Sequence, residues 1–163
     1  MTKPAGFSRA QIALHWIVAA LVVAQYLFKD AIAEAWEAYV AGNPTPFDPL
    51  ILAHVAGGVL ILALVVWRLV LRARRGAPPP PEHEPALLKR AAGAAHVALY
   101  AVLIGMSVSG GLAWFADVRP AADLHNVLKV ALLALVALHV LAVIFHQLVL
   151  KSGIVTRMVH AER

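Results

Sequence analysis

The sequence predicts an all-α integral membrane protein, a bundle of four transmembrane helices that forms a single domain of residues 1–163. Hydrophobic residues make up 61% of the chain, charged residues only 14%, and the mean hydropathy is +0.77. A soluble domain usually carries about a quarter charged residues. Four apolar segments are each long enough to cross a hydrocarbon core of about 30 Å, which takes about 20 helical residues. So much apolar surface requires lipid around it.

The predicted spans are four apolar runs whose backbone must bond internally in lipid, so we expect each to be a helix. They cover residues 10–28, 50–71, 91–116 and 124–150. The first run follows a basic start, but it contains His15 and Gln25 and has no clear small-residue cleavage site after it. We therefore expect a retained first helix and not a cleaved signal peptide.

The three connections differ in composition. Residues 29–49 are acidic, and within them we expect 31–40 to form a short helix at the membrane surface. Residues 72–90 are basic and contain four consecutive prolines, which is typical of a stiff, extended linker. Residues 117–123 predict a short turn that includes Pro120.

The distribution of positive charge predicts the orientation of the bundle. Eleven lysine and arginine residues lie beside the spans on the side of the two termini, whereas the other side has only Lys29, Arg119 and Lys129. The positive-inside rule therefore places both termini in the cytoplasm. The net charge of +5 then reflects membrane topology, and we do not expect nucleic acid as a partner.

Histidine is the polar residue that stands out within the spans. Six of the eight histidines lie there: His15, His54, His96, His125, His139 and His146. An ionisable side chain in hydrocarbon is costly and usually functional. A single such histidine can simply bond a neighbouring carbonyl, but six without expected carboxylate partners predict a bound group. The absence of cysteine excludes iron–sulfur clusters, thiolate zinc sites and covalently attached haem.

The fourth span predicts two separate centres. His125 and His139 are 14 residues apart, which places them on nearly one helix face and about 21 Å apart along the axis. One metal ion with ligands at about 2 Å cannot bind both. His146 follows seven residues later on nearly the same face. This spacing predicts centres stacked across the membrane.

Each centre needs a second ligand from another helix. His54 begins the second span on the outer side, as His125 begins the fourth, so these two match in depth. His15 lies on the cytoplasmic side, where His139 and His146 are both candidate partners and depth does not choose between them. His96 begins its span on the same side and is a further candidate.

Other residues near the histidines suit a flat macrocycle with acidic side groups. Gly57 and Gly58 share a helix face with His54, where glycine admits a close approach, although packing between helices explains them equally well. Gly110 and Gly111 have the same two explanations. Two cations, Arg68 and Lys129, could pair with haem propionates, while Arg68 could also simply extend to the membrane surface.

These motifs resemble the bacterial cytochrome b561 family over essentially the whole chain. Each motif alone is weak, but four in order are specific. They are Phe7-Ser8-Arg9 followed by His15-Trp16, then His54 followed by Gly57-Gly58, then His96 and Tyr100, and finally His125 with His139 and His146 beyond.

The resemblance implies a di-haem, b-type cytochrome of the bacterial inner membrane with bis-histidine ligation of iron. It implies that His54 and His125 bind the periplasmic haem and that His15 and His139 bind the cytoplasmic one. It leaves His96 and His146 to bond propionates, relay protons or border a quinone pocket.

The resemblance also implies electron transfer to or from a quinone, with superoxide as one donor in the family. Two imidazoles on each iron leave no open position, which favours electron transfer over substrate chemistry. We expect lipid and quinone as partners, and a homodimer is compatible with this interpretation. One alternative is a haem-b anchor subunit that passes electrons between a soluble dehydrogenase or hydrogenase and quinone. Another is a transporter that uses membrane histidines.

Overall fold

The computed structural model describes residues 4, 6–45, 47–81 and 84–161. Within them the chain is all-helical and has no strand, which confirms the predicted fold class. The chain forms four long helices. One shorter helix lies between the first and second of them, and a single helical turn follows the last. They are α1 (Arg9–Leu27), α2 (Lys29–Val40), α3 (Pro49–Arg75), α4 (Ala86–Ala116), α5 (Arg119–Leu148) and α6 (Ile154–Arg157). The four long ones are apolar enough to cross a membrane.

Local capping explains where the helices start. Ser8 accepts a hydrogen bond from the backbone of Gln11, and the Gln11 side chain bonds back to Ser8, so α1 begins with a capping box. At the start of α3, Asp48 accepts from the Leu50 amide at 2.7 Å, and Pro49 occupies the first helical position. Both starts place a histidine within the first two turns.

Helices α4 and α5 each begin about five residues earlier than the sequence predicts, and α3 ends about four residues later. The second span continues beyond residue 71 to Arg75, because arginines near a helix C-terminus interact favourably with its dipole. The third span starts at Ala86 instead of residue 91. The turn predicted over 117–123 is wrong in length, since α5 already begins at Arg119 and Pro120 is tolerated in its first turn.

The helices pack in chain order. α1 packs against α3, α3 against α4 and α4 against α5, while α2 packs on α3. Val18, Ile61 and Val65 form the buried apolar cluster where α1 and α3 meet. The outward faces of the long helices carry large exposed apolar side chains, as a lipid-facing surface requires.

Helix α1, the proline-rich linker and the segment after α5 meet on one side of the bundle. The Trp16 indole donates to the Met158 carbonyl at 2.8 Å, which joins the start of α1 to the segment after α5. Arg157 donates to the Pro79 carbonyl at 2.8 Å, so the proline-rich linker joins the same side. This side is called the inner end below, and its location in the cytoplasm remains a prediction.

Candidate functional site

Two histidines face each other toward the end of the bundle opposite the inner end, which is called the outer end below. His54 of α3 and His125 of α5 have ring centroids 6.5 Å apart, with an angle of 64° between the ring planes. Each lies near the start of its helix, as their matched depth predicts. These two residues are called the outer pair.

A second couple lies toward the inner end. His15 of α1 and His139 of α5 have ring centroids 6.4 Å apart and an interplanar angle of 68°. These two are called the inner pair. Helix α5 therefore contributes one histidine to each pair, while α1 and α3 contribute the other two.

The ring separations suit iron held between two imidazoles. Metal–imidazole bonds are about 2.0 Å long, so two imidazoles on opposite sides of one ion have ring centres about 6.3 Å apart. Both observed separations are close to that value. Among the described residues, no group of three or more His, Cys, Asp or Glu side chains could hold a metal ion. The donor set thus fits a haem, whose macrocycle supplies the remaining ligands.

The glycines beside His54 have different surroundings. A Cβ atom at Gly57 would lie 2.3 Å from the Gln25 side chain, so this glycine serves helix packing. A Cβ atom at Gly58 would have no neighbour within 4 Å, and Gly58 lines a cavity of about 60 Å³ together with His54 and His125. Only the second position borders the outer pair.

The outer pair also contacts polar groups. His125 Nδ1 lies 2.9 Å from the Met106 carbonyl of α4 and 3.5 Å from Ser109 Oγ. On the opposite side, Gln25 donates to the His54 carbonyl at 3.0 Å. Gln25 was not predicted as a site residue, although a polar side chain inside an apolar span was the available signal. Met106 was not predicted either, because its contribution is a backbone carbonyl.

His96 lies beside the inner pair. Its ring centroid is 5.6 Å from that of His139, and its Nδ1 bonds the Ala92 carbonyl at 2.7 Å within α4. This separation is shorter than the one two trans ligands of one ion would adopt. The arrangement favours His15 over His96 as the residue opposite His139.

The two predicted cations lie at different ends. Arg68 interacts electrostatically with His15, His96 and His139, and its Nε donates to the Tyr100 hydroxyl at 2.8 Å. Lys129 interacts with His125, and its Nζ donates to Asn126 Oδ1 at 2.9 Å. Each pair therefore has one cation close to it, held by a neutral side chain.

His146 has a carboxylate partner that the sequence analysis did not expect. Its Nε2 lies 3.3 Å from Glu84 Oε1, and the two side chains are only 11% and 6% exposed. Glu84 comes from the linker before α4, outside all four spans. The prediction that the membrane histidines lack carboxylate partners is therefore wrong for His146.

Comparisons with known proteins show which family the chain resembles over its length. The prokaryotic cytochrome b561 family matches residues 6–161. A protein named cytochrome b562, from Cereibacter sphaeroides, is 31% identical over 158 residues, covering 97% of this chain and 98% of that protein. A protein named probable superoxide oxidase CybB, from Yersinia pestis, is 26% identical over 181 aligned positions, covering 96% of this chain and 97% of that protein. The similarity extends over nearly the whole length of all three chains.

Proposed function

The chain belongs to the prokaryotic cytochrome b561 family, and we propose that it holds two haems and passes electrons to a quinone. Family membership and the four apolar helices make it a multi-pass protein of the bacterial inner membrane. They also make it an electron-transfer cytochrome that uses haem b. The number of haems, their ligands and the quinone are the parts we propose.

The observation that carries the proposal is the repeated histidine geometry. The outer and inner pairs have ring separations of 6.5 and 6.4 Å, and their two members on α5 are 14 residues apart. We propose that His54 and His125 bind one haem and that His15 and His139 bind the other. A haem b held by each pair would supply one-electron exchange there.

The residues around the pairs hold the haems and do not react themselves. Gly58 leaves room beside His54 and His125, since a larger side chain there would occupy the cavity. We propose that Arg68 and Lys129 bind propionates at the inner and outer sites. Their neighbours Tyr100 and Asn126 are neutral and leave both positive charges available. The attraction between a cation and a carboxylate is stronger in a site of low dielectric constant than at the protein surface.

We propose superoxide as one donor and a quinone as the acceptor. The support is the similarity to the protein named probable superoxide oxidase. Two superoxide anions each lose one electron and become two O₂ molecules. The two electrons, together with two protons, reduce one quinone to quinol. The outer and inner pairs lie at different depths of the bundle, so haems held there would provide a route from one membrane side to the other.

Purified protein in detergent tests the proposal. We expect a pyridine haemochrome assay to give two haem b per chain, and superoxide generated enzymatically to reduce a short-tailed quinone. His160→Ala is the matched control, because this histidine is exposed and lies outside the spans. One haem per chain would contradict the two-site proposal. Two haems without quinone reduction would favour an anchor subunit that needs a soluble partner.

A further inference from the structure

Helix α4 supplies none of the four proposed haem ligands, yet it contacts His125 directly. We infer that Met106, Ser109 and Gly110 of α4, called the α4 frame, fix the orientation and hydrogen bonding of His125 and thereby set the midpoint potential of the outer haem. The inference rests on the proposed ligation of that haem by His125.

The Met106 carbonyl determines which nitrogen of the His125 ring is protonated. His125 Nδ1 lies 2.9 Å from the Met106 carbonyl, which can only accept a hydrogen bond. Nδ1 must therefore carry the proton and donate it. A neutral imidazole then has its lone pair on Nε2 alone, so the α4 frame leaves one nitrogen of His125 able to bind iron.

Gly110 allows the His125 ring to lie close to α4. A Cβ atom at Gly110 would lie 3.0 Å from both Nδ1 and Cε1 of His125, closer than ordinary van der Waals contact. The ring therefore lies directly against the backbone of α4. The neighbouring Gly111 differs, because a Cβ atom there would meet only a carbon of Phe115 at 4.0 Å.

Ser109 affects the strength of the hydrogen bond between His125 and the Met106 carbonyl. Ser109 is only 2% exposed, and its hydroxyl donates to the same Met106 carbonyl at 3.2 Å. Two donors therefore share one acceptor. A stronger bond from Nδ1 makes the imidazole a more basic ligand, which stabilises the oxidised iron and lowers the potential. Ser109 limits that effect.

The opposite ligand cannot supply the same control. His54 Nδ1 is buried and has no hydrogen-bond partner among the described residues. Tuning of the outer haem through a hydrogen bond to a ligand therefore comes from His125. Because of this difference, we expect small side-chain changes in the α4 frame to alter the midpoint potential of the outer haem.

Redox titration of the full-length, haem-loaded protein, followed by its absorption spectrum, tests the inference. Gly110→Ala displaces the ring from the Met106 carbonyl, so we expect two haems per chain and an upward shift in one of the two transitions. The shifted transition is the one that His54→Ala removes. Gly111→Ala, the matched control, is expected to titrate like the unmodified protein. Ser109→Ala frees the carbonyl for His125, so we expect the same transition to shift downward.

Equal titration curves for Gly110→Ala and Gly111→Ala would overturn the inference, as would an upward shift in Ser109→Ala. If Gly110→Ala fails to assemble, the direction of the Ser109→Ala shift decides. His125→Ala separates this inference from the proposal beneath it. Retention of both haems in that variant would contradict His125 as a ligand, whatever the other variants do.

Discussion

The outer and inner pairs share one geometry but not one environment. Their ring separations differ by only 0.1 Å. At the outer end, His125 bonds a backbone carbonyl and lies against a glycine. At the inner end, His139 has a second imidazole, His96, beside it. If each pair binds a haem as we propose, the shared ligand geometry accounts for binding, and the different surroundings should give the two haems different midpoint potentials.

Replacing single histidines of the outer and inner pairs should have the largest effect, the loss of one haem. We expect His54→Ala and His125→Ala to remove the same haem, and His15→Ala and His139→Ala to remove the other, because a bis-histidine site needs both ligands. A haemochrome assay with redox titration identifies the haem that remains. Loss of a haem in His146→Ala, together with retention of both in His139→Ala, would contradict the inner pairing.

A larger side chain in the cavity beside His54 and His125 should affect haem binding at the outer end only. Gly58→Leu places a branched side chain where the outer site has room, so we expect loss of the outer haem and retention of the inner one. Gly93→Ala is a control on α4, because a Cβ atom there meets nothing within 4 Å. Haem stoichiometry after purification is the measurement. Unchanged stoichiometry in Gly58→Leu would contradict a haem beside this glycine.

Neutralising Arg68 or Lys129 should change the midpoint potential of one haem and not of the other. Arg68→Gln removes a positive charge near the inner pair, and Lys129→Gln removes one near the outer pair. A nearby cation favours the reduced, less positive iron, so each substitution should lower one potential. We expect about 1 kcal/mol, or about 40 mV for one electron. Each variant is the control for the other in redox titration, and equal shifts of both haems in either variant would contradict the assignment.

The Glu84 contact should give the smallest effect. Glu84→Gln weakens the pair with buried His146, so we expect a loss of about 1–2 kcal/mol in stability with haem content unchanged. Thermal unfolding followed by the haem absorption band measures it. Glu34→Gln is the control, because Glu34 is exposed on α2. An equal loss of stability in both variants would show that the contact contributes nothing specific.

Sequence reasoning went furthest where periodicity and depth are informative. Four spans follow from apolar length, and the match of His54 with His125 follows from their positions at helix starts. Depth could not choose between His139 and His146 as the partner of His15, and that choice rested on the family resemblance.

Other features depend on tertiary contacts that a linear pattern does not contain. The His146–Glu84 pair joins a helix end to a linker 62 residues earlier in the chain, and linker folding is set by packing. The bond from His125 goes to a carbonyl, which every residue carries, so no side-chain motif could indicate Met106. Gly57 and Gly58 look equivalent in sequence, and only the position of Gln25 distinguishes them.

A single unbroken helix, α5, carries one histidine of each pair, so its geometry fixes the distance between the two proposed haem sites. The distance between the two proposed haems is set by helical rise, about 21 Å over 14 residues, and not by how loosely the other helices pack. One residue inserted between His125 and His139 would turn the latter by about 100° away from its site. Seven inserted residues would keep the face but lengthen the gap by about 10 Å. With a haem at each pair as proposed, the length of this one helical segment would therefore determine the rate of electron transfer between the two haems.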